Sequence, residues 1–545
     1  MANPQGLEDA LSTLDSRVAG VIRDANAADG VPFRARAGHL HHTWAKTFAS
    51  LPELYIQPES QAEIEKVVSL ARRLRRRVSL VGCGHSPSDL TCTSGWLVNL
   101  DRHARVLSLD RAAGVVVMQS GIRLFALAEE LARAGLAMPN LGSINDQSVA
   151  GVISTGTHGS SLRHGLISDD VLALKITLAD GKTRSCSPVE DPDLFRAALL
   201  SLGALGVITE VTFRAVPAFS LAWTQTIDSD AAMLRAWDTT LWTQAHFVRV
   251  WWFPHTRRAV VWSASEPEGK GEGEGAGGQQ VVLPVSWLSS RVGYHVYHNL
   301  LWLAQYVPRV LPWVERFVFG MQFGFRDGTT TRGLQPSREA LLLDCLYSQY
   351  VNEWALPLSR GPEALARLGA WLNRLRPGDQ GYVEHRIPFP TDGLYVHAPV
   401  EVRVSDARNE SVRSGRGCRP WLDPTMPDGP TLYLNATLYR PYLQDPPSLA
   451  RYYEAFEWLM RDLGGRPHWA KNFRFADMES LYGDHLRRWR EVRDRADPDG
   501  MFVGAWHRRF VLGQGEPLAL EEVEVERRAV DSNGVRVLGT VGEKR

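Results

Sequence analysis

Residues 81–89 read VGCGHSPSD, and their types and spacing suit the cradling of a cofactor. Gly82 and Gly84 flank Cys83, an apolar strand-like run at 78–81 leads in, and His85 and Ser86 follow at once. Glycines let a backbone turn tightly and bring bare N–H groups against a phosphate. His85 then stands beside the place where a bound group would lie. The stretch lacks the third glycine of the GxGxxG dinucleotide fingerprint, which argues against a Rossmann dehydrogenase. Residues 142–161, GSINDQSVAGVISTGTHGSS, repeat the pattern of crowded small residues. Such a run lets amides and hydroxyls converge on a pyrophosphate; a glycine-rich loop packed closely against a helix is the alternative. In PVEVR, 399–403, Glu401 and Arg403 share one face of a strand, which by default is a surface ion pair worth little. Lys471 ends RPHWAK at 466–471 and, taken alone, is a solvated lysine.

The elements that must hold these groups are legible in part. Apolar residues at Ile64, Val67, Val68, Leu70 and Leu74 predict a helix over 60–76, with Ser60 and Glu63 forming a capping box. Strands are expected at 96–100, 105–109 and 114–119, and a helix over 123–134 stopped by Gly135. A hairpin around Asp180-Gly181 joins 171–178 to 182–186, followed by a helix near 191–201 and a strand near 206–214. This mixture predicts an α+β fold rather than a regular βαβ winding. After Pro217 tryptophan becomes frequent, which marks a second unit. Residues 1–40 read as a polar lead-in, 264–280 as a disordered Gly/Glu-rich loop, and the segment from Gly513 as a loose polar tail. The apolar, aromatic stretch 287–325 reads as helices of the second unit, or as a patch resting on a membrane. Pro308 and Pro312 favour the first reading.

Composition narrows the classes. A chain of 545 residues, 44% hydrophobic, holds two or more packed units. Lys plus Arg and Asp plus Glu both number 61, so no net charge draws the chain to nucleic acid. Five sparse cysteines without a CxxC pair predict neither a disulfide framework nor a metal site. The N-terminal stretch has no signal-type apolar core and no run of 18 apolar residues occurs, so an intracellular, reducing setting is expected.

Taken together, TWAKTF (43–48), GCGHSPSD, AGVISTGTHG (150–159), LGALGVITEVTFRAVP (202–217), PVEVR, RPHWAK and RADPDGMF (495–502) resemble the motifs of a known family. It is the sugar-lactone oxidases, D-arabinono-1,4-lactone and L-gulonolactone oxidases, within the flavoproteins of the vanillyl-alcohol-oxidase type. Cys83 in the loop, the 264–280 insertion and the tail depart from the pattern. The resemblance implies an α+β two-domain flavoprotein, with an FAD-binding domain of the vanillyl-alcohol-oxidase (PCMH) type at 47–217. A substrate-binding cap at 218–510 and a polar tail at 511–545 follow. It implies FAD joined covalently to His85 and surrounded by Gly82, Cys83, Gly84, Ser86, Gly142, Ser143, Asp146, Gly151, Ser154, Thr155, Thr157, His158 and Gly159. The backbone near Val207 and Ile208 would meet the adenine. Glu401 would bind or deprotonate a sugar hydroxyl, while Arg403 and Lys471 bring positive charge to the flavin. Gly142 would leave room for dioxygen, so an oxidase is expected rather than a dehydrogenase.

The implied reaction takes a hydride from a sugar 1,4-lactone to flavin N5. Dioxygen then yields H2O2, with D-erythroascorbate the product from D-arabinono-1,4-lactone. The implied partners are the lactone and O2, with peripheral, mitochondrial membrane association taken from fungal members. An alditol oxidase, a lactone dehydrogenase serving an electron carrier, and a flavin-free binding protein remain alternatives. The sequence leaves the oligomeric state open.

Overall fold

Ser60 ends an extended segment, and its Oγ accepts the Glu63 N–H to start the helix Gln61–Leu74. Glu63 does not close the reciprocal capping box. Its Oε2 instead accepts from the Glu59 N–H at 3.0 Å and pairs with Arg34 at 2.9 Å. The buried stripe of this helix joins a core with the parallel strands Leu54–Ile56, Trp96–Asn99 and Val78–Val81, edged by antiparallel Ala35–Arg36. A second, antiparallel sheet carries Thr183–Cys186, Val171–Thr177, Val207–Arg214, Val115–Gln119 and Val106–Asp110 in that order. The expected hairpin forms, with Gly181 taking the positive φ of its turn. In this computed structural model the described residues are 4–267, 286–343, 345–397, 399–408, 418–513, 529–530 and 536–538, so most of the expected 264–280 loop lies outside them.

The first unit recruits both ends of the chain. Residues 1–40 hold more than a polar lead-in: helices Pro4–Leu11 and Ser16–Asp29 place Ala10, Leu11, Val18, Ala19 and Ile22 in the core beneath Gln61–Leu74. Those apolar residues form one stripe among charged neighbours, the pattern of a helix that packs on one face. Met501 and Phe502 return to the same core. Val78 N–H donates to Met501 O at 2.9 Å, and the Asp497 carboxylate accepts from both Met501 and Phe502 N–H. Where a loose tail was expected, Arg536–Leu538 lies parallel to Ala49–Ser50, with Ala529–Val530 beyond it. Segments outside 47–217 therefore build this unit.

The second unit is an eight-stranded antiparallel sheet. Its order is Thr330–Pro336, Ser220–Ser229, Arg258–Ser265, Phe247–Phe253, Val400–Ser405, Thr431–Tyr439, Gln349–Pro357 and Arg466–Pro467. Trp371 of helix Gly361–Leu372 and Phe456 of Leu449–Asp462 share a core with this sheet, and that core runs on into the first unit through Val116 and Phe213. The stretch 287–325 forms helices Arg291–Tyr306 and Leu311–Phe323, broken at Pro308. Trp302, Tyr306, Val307, Trp313 and Phe325 are exposed on them or just beyond. Among the described residues no helix is long and apolar enough to cross a membrane.

Candidate functional site

The glycine loop opens directly from the strand Val78–Val81. Gly84 takes φ +66, and Gly206 takes φ +154 where a Cβ would strike the Thr177 carbonyl. The loop and its neighbours line a cavity, partly open to solvent, with ≈ 1000 Å³ of empty space. Gly82, Cys83, Gly84, His85 and Ser86 line one side; Ser148, Gly151, Ser154, Thr155 and Ile208 line others. Ser148 Oγ also accepts from Gly151 N–H at 3.3 Å and so caps the helix Val149–Ser154. Burial pushes the Cys83 thiol up, so it stays protonated in a wall of small groups. Three expected residues do not reach a cavity. Asp146 is exposed, and its carbonyl accepts from Arg123. The Val207 side chain points into the core of the first unit because it alternates with Ile208 along one strand, which leaves its backbone for the expected contact. Gly159 packs so tightly on Asn140 and Leu141 that a Cβ would collide, which is the close-packing alternative for that glycine.

A second cavity, also partly open to solvent and with ≈ 1110 Å³ of empty space, shares His85, Ser86 and Gln147 with the first, so the two meet at the histidine. Its floor is one row across four strands. Trp251 pairs with Glu401, Glu401 with Asn435, and Asn435 with Glu353. Residues in register on neighbouring strands lie about 4.8 Å apart and point to the same face, so the row is fixed by pairing alone. Gly142, Ser143, Thr157 and His158 of the first unit form the opposing wall, with Arg403 and Lys471 beside the floor. The Cβ that Gly142 lacks would sit 2.9 Å from Thr157 Cγ2, so close approach is one reason for a glycine there.

Charge gathers around Glu353, which is fully buried. Arg403 Nη2 donates to its Oε1 at 2.8 Å, His158 Nε2 stands 3.1 Å from the same oxygen, and Lys471 Nζ stands 3.5 Å from Oε2. Burial opposes the charge of Glu353, but Arg403, Lys471 and His158 outweigh it and hold the carboxyl well below its ordinary range. Burial likewise opposes the Arg403 guanidinium and is outweighed by Glu353 and Glu401, so the group stays charged. Glu401 takes a hydrogen bond from Asn435 Nδ2 at 3.3 Å, while its Oε1 has no partner among the described residues. His158 Nδ1 stands 2.9 Å from Gly159 O, and its ring stacks on Tyr433 at 3.5 Å. Burial, with help from Arg403, lowers its pKa.

His158, Glu353 and His468 stand close enough to share a metal ion. Arg403 and Lys471 already meet that carboxylate and would repel a cation.

His85 faces both cavities. Its ring lies 4.6 Å from Trp44, and its buried Nδ1 has no partner among the described residues. Burial and the charge of Lys471 lower its pKa to about 3, so the imidazole is neutral and keeps a free lone pair. Two joined cavities, one walled by backbone and hydroxyls and one by cations, fit an extended dinucleotide such as FAD. Sequence reasoning missed Glu353, Asn435 and Trp251. The signal for Glu353 was an acidic residue inside the otherwise strand-like, apolar VNEWALP.

Comparisons with known proteins agree with this architecture. A family profile described as D-arabinono-1,4-lactone oxidase matches residues 211–510, and one described as FAD binding domain matches 52–187. A Neurospora crassa relative, provisionally named a D-arabinono-1,4-lactone oxidase, is 58% identical over 97% of both chains. The D-arabinono-1,4-lactone oxidase of Yarrowia lipolytica is 40% identical over 86% of this chain and 96% of its own. That of Saccharomyces cerevisiae is 34% identical over 90% and 99%. Among solved structures, a cholesterol oxidase from Brevibacterium sterolicum superimposes with a TM-score of 0.69 at 14% identity, covering 88% of this chain and 98% of its own. That likeness speaks for the fold alone.

Proposed function

The chain belongs to the D-arabinono-1,4-lactone oxidase family, and from that premise we propose that it oxidises a sugar 1,4-lactone with O2 in an FAD-dependent reaction. The lactone loses a hydride and a proton from a hydroxyl-bearing ring carbon, and O2 takes up two electrons and two protons to leave as H2O2. D-arabinono-1,4-lactone gives D-erythroascorbate. FAD, when bound, supplies the hydride acceptor N5 and hands the electrons to O2. The loop 82–86 and the small residues 148–155 would hold its phosphates, and the junction at His85 its ring. Glu401 lines the cavity and its Oε1 has no hydrogen-bond partner among the described residues, so it would orient the substrate hydroxyl and take its proton. Arg403 and Lys471, which line the same cavity, would offer positive charge to the flavin N1–C2=O edge, where negative charge develops on reduction. The observation that carries this reading is the meeting of the two cavities at His85, with Glu401, Arg403 and Lys471 in the second.

Oxygen uptake and peroxide release by the purified protein test it. D-arabinono-, L-galactono- and L-gulono-1,4-lactones should turn over, and xylitol and sorbitol should not. The reverse preference would make it an alditol oxidase. Turnover only with an artificial acceptor and no peroxide would make it a dehydrogenase.

Two finer points belong to the same proposal. The neutral, unpartnered His85 supports a covalent bond to the flavin 8α-methyl. After acid precipitation the flavin should then stay with the protein and be released from His85→Ala. The exposed face of Trp302, Tyr306, Trp313 and Phe325, with Arg309, Arg316 and Arg326 also exposed, supports peripheral membrane association. The fungal resemblance makes the mitochondrial membrane its proposed place. Flotation with phosphatidylcholine vesicles, with and without anionic lipid, checks this: no flotation with either removes the membrane from the reading.

A further inference from the structure

We infer that Glu353 is a positioning residue of the reaction, a buried anion that fixes Arg403 and Lys471 at the wall of the second cavity. The inference rests on the oxidase reading above and names a residue which that reading does not use.

A carboxylate in the middle of a central strand is costly unless it is paired. The residues two positions away on the same face, Val351 and Ala355, are apolar, so the strand itself makes no demand for charge. What Glu353 meets are groups from three separate places: Arg403 on another strand, His158 from the first unit, and Lys471 from the loop after Arg466–Pro467. Arg403 and Lys471 repel one another, and a carboxylate touching both offsets that repulsion. Each cation meets the carboxylate and also lines the second cavity. Arg403 gives Nη2 to Glu353 and Nη1 to Ser143 Oγ at 3.3 Å, and its Nε stands 3.5 Å from Glu401 Oε2. The Lys471 side chain is 22% exposed and lines the cavity.

Glu353 is poorly suited to be the acid or base. It is 0% exposed, Arg403 and His158 occupy its Oε1, and Lys471 stands 3.5 Å from its Oε2, which together hold the carboxyl well below its ordinary range and make it a weak base. Glu401 lines the same cavity with its side chain 13% exposed and keeps that role. His158 stacks on Tyr433, whose hydroxyl meets Ser405 Oγ at 3.0 Å, so the anchor joins the first unit to the sheet of the second.

Glu353→Gln and Glu353→Asp in the FAD-loaded full chain test this, with steady-state kinetics and sulfite titration of the bound flavin. Sulfite affinity rises with well-placed positive charge at the N1–C2=O edge and needs no substrate. For Gln, kcat should fall about 100-fold and KM change less than about 3-fold. Sulfite should bind at least about 10-fold more weakly, because the cations are no longer held. Asp keeps the charge with one methylene less and should fall between Gln and the unmodified protein in both readouts. Unchanged kcat and sulfite affinity in Gln would overturn the inference. So would tighter sulfite binding, which would make Glu353 a counter-charge that weakens the cations. If Gln fails to fold or load FAD, Asp decides: intermediate sulfite affinity supports the role and unmodified affinity ends it. An unmodified protein that binds FAD and sulfite but oxidises no lactone would sink the lactone reading and leave the sulfite comparison to judge Glu353.

Discussion

The cavity behind Gly82–Ser86 is walled mainly by backbone and small side chains, whereas the cavity above Glu401 is walled by charges drawn from several strands. The first needs residues that are missing atoms. The second needs residues that are costly to bury, each stabilised by another. A defect in the first should therefore lower cofactor content, and a defect in the second should lower turnover by molecules that still carry cofactor.

The sharpest way to break that contrast is Arg403→Met. It leaves Glu353 buried with a partner gone, and kcat should drop about 1000-fold in oxygen uptake. Stability should fall by about 3–5 kcal/mol in urea unfolding. A milder loss of both would mean that the charged wall rearranges freely. Next, Gly206→Ala places a Cβ against the Thr177 carbonyl at a φ that L-residues rarely adopt. It should cost about 1–3 kcal/mol and reduce the flavin-to-protein absorbance ratio, with turnover per bound flavin unchanged. A fall in turnover per flavin would erase the division between the cavities.

Acid should act on both units. His507 lines the first cavity and His397 lies behind the second, and burial lowers each pKa to about 4. Each is neutral when folded but takes a proton near pH 6.5 when unfolded. Stability is thus complete above pH 6.5 and declines as pH falls toward 4, by up to about 1.4 kcal/mol per pH unit for each histidine. Urea midpoints from pH 7.5 to 5 should show this, and His397→Gln should flatten the slope. His397 Nε2 accepts from Tyr439 N–H at 2.7 Å, a bond that only the unprotonated nitrogen can make. Two separate unfolding steps would show that the units part before either melts.

The smallest effect concerns Gly142. In Gly142→Ala the reduced enzyme should react with O2 about 10-fold more slowly, and Thr157→Ser should then restore Tm but not that rate. Recovery of the rate would assign the effect to packing against the threonine methyl.

The same contrast explains what could be read from the chain. The cofactor wall is written in contiguous runs, GCGHSPSD and AGVISTGTHG, so one short window reports its chemistry. The charged wall is a row across strands, and Trp251, Asn435 and Glu353 come from windows far apart. No local pattern marks Glu353 as the partner of Arg403, because strand order is decided by packing over the whole sheet. The period of two places Glu401 and Arg403 on one face but reads as a surface ion pair, whereas Arg403 is buried; the family resemblance is what marks them as site residues. The side chain of Asp146 faces solvent and that of Val207 the core, because a motif names a neighbourhood while the pleat and the exit of a loop decide which side chain faces inward. The helices at Pro4–Leu11 and Ser16–Asp29 carry the amphipathic stripe, yet their polar faces hid it.

The bond from Val78 to Met501 also sets an order in time. The strand that delivers the glycine loop emerges early in synthesis, but the segment that completes its core is made some four hundred residues later. Contacts so distant in the chain carry a large loop-closure cost and form late. A growing chain would therefore carry an unfinished cofactor unit while the intervening sheet assembles, and flavin capture would mark the end of folding rather than its start.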